Sequence, residues 1–199
     1  MFEIVDYSEV PRIQEILNFL PIAPDDEEDV INYIQNITNL IAVNYKYSQY
    51  QFAYFGVHLL YMTYIYCTAW KIGQIEPERY RDAIVFARSY SGREKDLKIE
   101  DAGSIFAYSI MPEKDIAKLF KIVELDKSQI DVVSDLVDTR NDMAHASGKF
   151  EILTESSYCL LYTSITYRYA HLFPTVQTEM AEKLEMERMT KEDANGKNT

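Results

Sequence analysis

At 199 residues the chain is long enough for one domain with a sizeable core and too short for two ordinary ones. Hydrophobic residues make up 47% and charged residues 26%, which excludes wholesale disorder. A formal charge of -12 argues against a general nucleic-acid-binding surface, because non-specific affinity for phosphate backbones comes from Lys and Arg releasing counterions, so any nucleic acid must meet a local patch.

The first residues, "MFEIVDYSEVPRIQ", show no basic stretch followed by an apolar run, so a cytoplasmic protein is expected. Prolines and glycines fall almost entirely between apolar periodic runs. No run shows the strict two-residue alternation of a half-buried strand, so the pattern is all-α. "PDDEEDVINYIQNITNLIAVNY" opens a helix at Pro24 with acids in its first turn, and Val30, Ile34, Ile37 and Ile41 supply its buried stripe. The acidic run Asp25 to Asp29 points around that turn rather than converging on a cation, and reads as solvated.

Between Lys46 and Lys71 lies "YSQYQFAYFGVHLLYMTYIYCTAW", with no formal charge. Its length could span a bilayer, but its six tyrosines, with Gln49, Gln51, His58 and Thr63, would lack hydrogen-bond partners in lipid. A central bundle helix, or one shared with a second subunit, fits better, with the tyrosines in packing rather than stacked on bases. His58 reads as a satisfied core histidine.

"EPERYRDAIVFARSY" starts a helix with Pro77 in the first position. "RSYSGREKDLK" is locally basic through Arg88, Arg93, Lys95 and Lys98, and reads as a solvated loop with a phosphate-binding patch as the competing reading. Further helices are expected over "DAGSIFAYSI", over "PEKDIAKLFKIV" from Pro112, over "KSQIDVVSDLVDTRNDMAHA" after Asp126, and over "TESSYCLLYTSITYRYAHLF" after Thr154. His171 is expected beside the last carbonyls of that helix rather than in chemistry. "VQTEMAEKLEMERM" is amphipathic at best. The expected organisation is a single domain over 1–190 and a disordered tail over 191–199. Cys67 and Cys159 have no metal-ligand spacing and read as buried free thiols.

Winding residues 130–145 at about 100° each places Ile130, Val132, Val133, Leu136, Val137, Met143 and Ala144 on one arc of roughly 160°. Asp131, Asp135, Asp138 and Asp142 gather on a separate, solvated arc. Arg140 falls inside the apolar arc, where an unpaired guanidinium would be destabilising by several kcal/mol. It therefore needs a carboxylate from another helix, a polar cavity, or the seam of a symmetric partner. Asn141 and His145, four residues apart, share the edge of the arc, and Gly148 can end the helix in the left-handed conformation.

"RNDMAH", Arg140 to His145, resembles the motif of the HEPN family of helical bundles, whose ribonuclease members carry Arg, a polar residue, three further residues and then His. The resemblance implies four to five main helices plus short accessory ones, and a homodimer that brings two motifs into a composite active site. It also implies metal-independent endoribonuclease chemistry on RNA without a cofactor, in which a 2′-hydroxyl attacks the adjacent phosphate and leaves a 2′,3′-cyclic phosphate. A toxin or anti-phage defence role, with a regulatory protein partner, is the biological setting implied. In this scheme His145 transfers protons, Arg140 binds phosphate bidentately, and Asn141 orients the imidazole or holds a phosphate oxygen. Many toxin members carry, two residues after the His, a tyrosine at which a nucleotidyltransferase silences them; Ser147 stands here.

The competing expectation is a catalytically silent helical scaffold in which Arg140 is only an ion-pair partner. Arg140 bridged within one subunit and shut off from solvent would favour the scaffold, and two Arg140–His145 sets facing one cleft would favour the enzyme.

Overall fold

The computed structural model describes residues 10, 13, 16, 17, 20, 28–87, 103–123, 127–144 and 153–170. These residues are helical with no strand among them, an all-α bundle. Among the described residues the α-helices with defined bounds are α1 (Glu28–Lys46), α2 (Tyr50–Ile75), α3 (Pro77–Ala87), α4 (Glu113–Ile116), α5 (Lys127–Ala144) and α6 (Glu155–Ala170). Two 3-10 helices, Ile105–Ile110 and Ala117–Val123, flank α4.

The first helix buries Val30, Ile34, Ile37 and Ile41, the stripe read from its period. It ends in a Schellman-type turn: the Ser48 amide donates to the Tyr45 carbonyl (2.9 Å) and the Gln49 amide to the Asn44 carbonyl (2.8 Å). Ser48 takes the left-handed conformation, φ 57°, which this closure demands. The chain then reverses into α2, and the two helices form a closely packed hairpin.

The second helix is the core of the bundle. It is buried along nearly its whole length, including Tyr54, Val57, Leu60, Ile65 and Ile72, and it packs on every other described α-helix. Its buried threonines return their hydroxyls to their own helix, Thr63 to the Leu59 carbonyl (2.8 Å) and Thr68 to the Tyr64 carbonyl (2.9 Å), so no partner is needed elsewhere. No described helix is long and apolar enough to cross a membrane.

The helices expected over "DAGSIFAYSI" and "PEKDIAKLFKIV" are largely 3-10 instead, with only Glu113–Ile116 in α-form. Burial explains the tighter winding. Ile105, Tyr108 and Met111 are buried at a spacing of three, as are Ile116 with Leu119 and Ala117 with Phe120, and a three-residue turn keeps each set on one side.

The last described helix begins where expected, with the Thr154 hydroxyl accepting from the Ser157 amide (3.2 Å). Tyr45 donates to Glu155 (2.6 Å), its ring meets Tyr50 edge-on and Tyr158 at a tilt, and Tyr158 stacks on Tyr162, fixing α6 against the turn between α1 and α2. Both cysteines are free; Cys67 is buried, whereas Cys159, expected to be buried, is only partly so.

Candidate functional site

The α5 helix orients as its wheel requires. Val133, Leu136 and Val137 are buried, and Asp131, Asp135, Asp138 and Asp142 are exposed. Ala144, placed on the apolar arc, is exposed at the end of the helix. Arg140 follows the apolar side inward, with its side chain 27% exposed.

There the guanidinium meets a carboxylate from another element, one of the three surroundings that its position on the arc left open. Arg140 Nη2 donates to Glu113 Oε2, at the start of α4. The same oxygen lies 3.3 Å from Nε2 of His58, which projects from α2 and is 3% exposed. His58 is thus a buried histidine with a partner. Three elements meet in the chain His58–Glu113–Arg140, and the carboxylate is the hinge between a buried imidazole and a half-buried cation.

Burial pushes the Glu113 carboxyl up, but the hydrogen bond and charge of His58, then those of Arg140, outweigh it and hold the group below the usual carboxylate range. Glu113 is therefore ionised at neutral pH. The positive charge of Arg140 also reaches the tyrosines of α2. Burial raises Tyr54 to about 12, with Arg140 acting the other way. Burial, then Glu113 and Tyr33, raise Tyr66 to about 12, again against Arg140. The buried Tyr54 hydroxyl and the Arg140 Nε have no hydrogen-bond partner among the described atoms.

Arg140 and Asn141 line a cleft of about 600 Å³ between α5 and the segment running from Met111 to Lys118. Glu113 lines it too, with Lys114, Asp115, Lys118 and Val137. Each lysine is drawn to an acid: Lys114 to Asp138, and Lys118 to Asp115. Both lysines and Asp138 are exposed while Asp115 is only 13% so, and bridges to exposed lysines are weak enough to exchange for another anion. The cleft therefore presents three cations and an amide to a ligand, with carboxylates already on the cations.

Arg140 and Asn141 are brought together on this cleft. His145, the third residue of the motif, lies outside the described residues, one position beyond Ala144 at the end of α5. Ser147, Gly148, His171, most of the Asp25 to Asp29 run and the basic segment from Arg88 to Lys98 also lie outside them. Among the described residues no group of His, Cys, Asp or Glu is placed to hold a metal ion. Sequence reasoning missed Glu113. Its signal was indirect: a carboxylate was one of the surroundings that an inward arginine could take, but nothing in the chain says which of 32 acids supplies it.

No protein-family model matches the chain, no curated protein matches it in sequence, and no solved structure matches it.

Proposed function

We propose that this protein is a metal-independent endoribonuclease of the HEPN type, working as a homodimer in which two "RNDMAH" motifs face one RNA strand. Arg140 holds the scissile phosphate and stabilises the charge that grows on it, and His145 moves the proton of the attacking 2′-hydroxyl or of the leaving oxygen. Asn141 supports them by holding a phosphate oxygen. The observation that carries the reading is the position of Arg140: a cation on the core-facing side of its helix, open to a cleft that Asn141 shares. A purely structural arginine has no need of that opening. A toxin or anti-phage role belongs to the same reading, with a protein partner to restrain the activity.

Incubation with RNA in EDTA tests it. Cleavage by the wild type that is lost in His145→Ala and falls at least a hundredfold in Arg140→Ala is expected, with 2′,3′-cyclic phosphate ends on the products. No cleavage by the wild type, or equal cleavage by His145→Ala, refutes it.

One observation favours the second reading, a catalytically silent scaffold: Arg140 is bridged to Glu113 inside the same chain. Exposure of Arg140 to the cleft keeps that reading second, since the scaffold requires the pair to be shut off from solvent.

A further inference from the structure

We infer that Glu113 is a built-in competitor for the phosphate that Arg140 binds, and that His58 takes over its carboxylate when phosphate arrives. The inference rests on the reading of Arg140 as a phosphate ligand and adds its regulation. A carboxylate and a phosphate seek the same guanidinium N–H groups, so they compete for one edge of the arginine. Glu113 holds that edge through Oε2, and its oxygen is shared with His58 Nε2 at 3.3 Å.

Without His58, displacing Glu113 from Arg140 would leave a charge stranded in a half-buried position, which is strongly unfavourable. With it, the carboxylate keeps a hydrogen bond inside the protein while the guanidinium turns to substrate. His58 is 3% exposed and does not line the cleft, so it acts on Glu113 and not on RNA. Lys114 and Lys118 are likewise engaged by Asp138 and Asp115, so the resting cleft is neutralised cation by cation. The carboxylate thus sets a threshold that a weakly bound anion does not cross.

Competition and positioning predict opposite signs, which makes the inference testable. If Glu113 only positions Arg140, neutralising it weakens RNA binding; if it competes, neutralising it strengthens binding. The probe is a fluorescein-labelled oligoribonucleotide carrying 2′-O-methyl groups, which binds without being cut, with anisotropy as the readout. Glu113→Gln is expected to bind about fivefold more tightly than the wild type, the scale of a partly exposed ion pair. The gain is expected to vanish in Glu113→Gln/Arg140→Met, which separates it from the general effect of removing a negative charge. Equal or weaker binding by Glu113→Gln, or a gain that survives loss of Arg140, overturns the inference.

Should Glu113→Gln fail to fold, His58→Leu decides by the other sign. It leaves Arg140 as the remaining partner of Glu113, so RNA binding weaker than wild type is expected, and equal or tighter binding overturns the inference. Cleavage is read separately. A wild type that never cuts RNA removes the nuclease reading, while an Arg140-dependent gain in binding keeps the competition; cutting without the gain removes the competition alone.

Discussion

Glu113 satisfies two donors with one oxygen, a buried imidazole and a guanidinium that is partly open to the cleft. Glu113→Ala would leave the Arg140 guanidinium, 27% exposed, without its carboxylate, so a loss of about 2 kcal/mol in denaturant unfolding is expected. The pH dependence follows from the same pair. The carboxyl is held below its ordinary value of 4.5, so the folded state binds its proton less readily than the unfolded chain. That contribution is fully present above about pH 4.5 and is lost as pH falls through the folded value. Glu113→Gln should therefore start less stable at neutral pH and lose less on acidification, a difference that unfolding curves between pH 6 and pH 3 will show. If both proteins lose stability in parallel, Glu113 is not the group that titrates. At this scale the sequence declared a need and hid its answer. The helical wheel placed Arg140 inward, but a partner 27 positions away in the chain is joined to it only by packing, which periodicity does not encode.

The elements themselves were legible wherever a helix has one apolar stripe or a marked start. Val30, Ile34, Ile37 and Ile41 in α1, Pro77 at the head of α3 and Thr154 before α6 each state a local rule that the fold obeys. The segment between Ile105 and Val123 was not, because its apolar residues fit a spacing of three as well as one of 3.6 and only burial selects between them. Two substitutions test the hairpin of α1 and α2 from opposite directions. Ser48 is the left-handed closing residue of α1, and a glycine there adopts the same geometry without the Cβ penalty. Ser48→Gly should raise stability by about 0.5–1 kcal/mol, read as a higher denaturant midpoint with an unchanged slope. Gly56 packs against α1, and a Cβ there would stand 2.5 Å from Cγ1 of Ile41. Ile41 is fully buried and cannot swing aside, so Gly56→Ala should destabilise by about 1–3 kcal/mol despite alanine's better helix propensity. Pairing it with Ile41→Ala should show a favourable coupling of about 1 kcal/mol in a double-mutant cycle; strict additivity would mean that the close approach is not the cause.

For the whole molecule, the formal charge of -12 sets the terms on which the proposed RNA substrate would be met. Long-range attraction for a polyanion is absent, so binding must come from the local cations, and within the described cleft these are Lys114, Lys118 and Arg140. Each single-strand phosphate neutralised contributes about 0.7 to the slope of log affinity against log salt, so three contacts give a slope of about -2. Binding of the 2′-O-methyl oligonucleotide, followed between 50 and 300 mM salt, should show this shallow dependence for one protomer's cleft. Lys114→Gln and Lys118→Gln should each reduce the slope by about 0.7. Two such clefts of a dimer on one strand give about -4, and a measured slope near -8 would instead place about half of the contacts outside them, with the basic segment from Arg88 to Lys98 as the first place to look. Glu113→Gln discriminates further. Competition by a carboxylate changes the affinity at every salt concentration without adding a phosphate contact, so its curve should run parallel to the wild type, displaced upward. A changed slope would mean that the carboxylate acts as part of the general field of an acidic protein and not as a group lodged on Arg140.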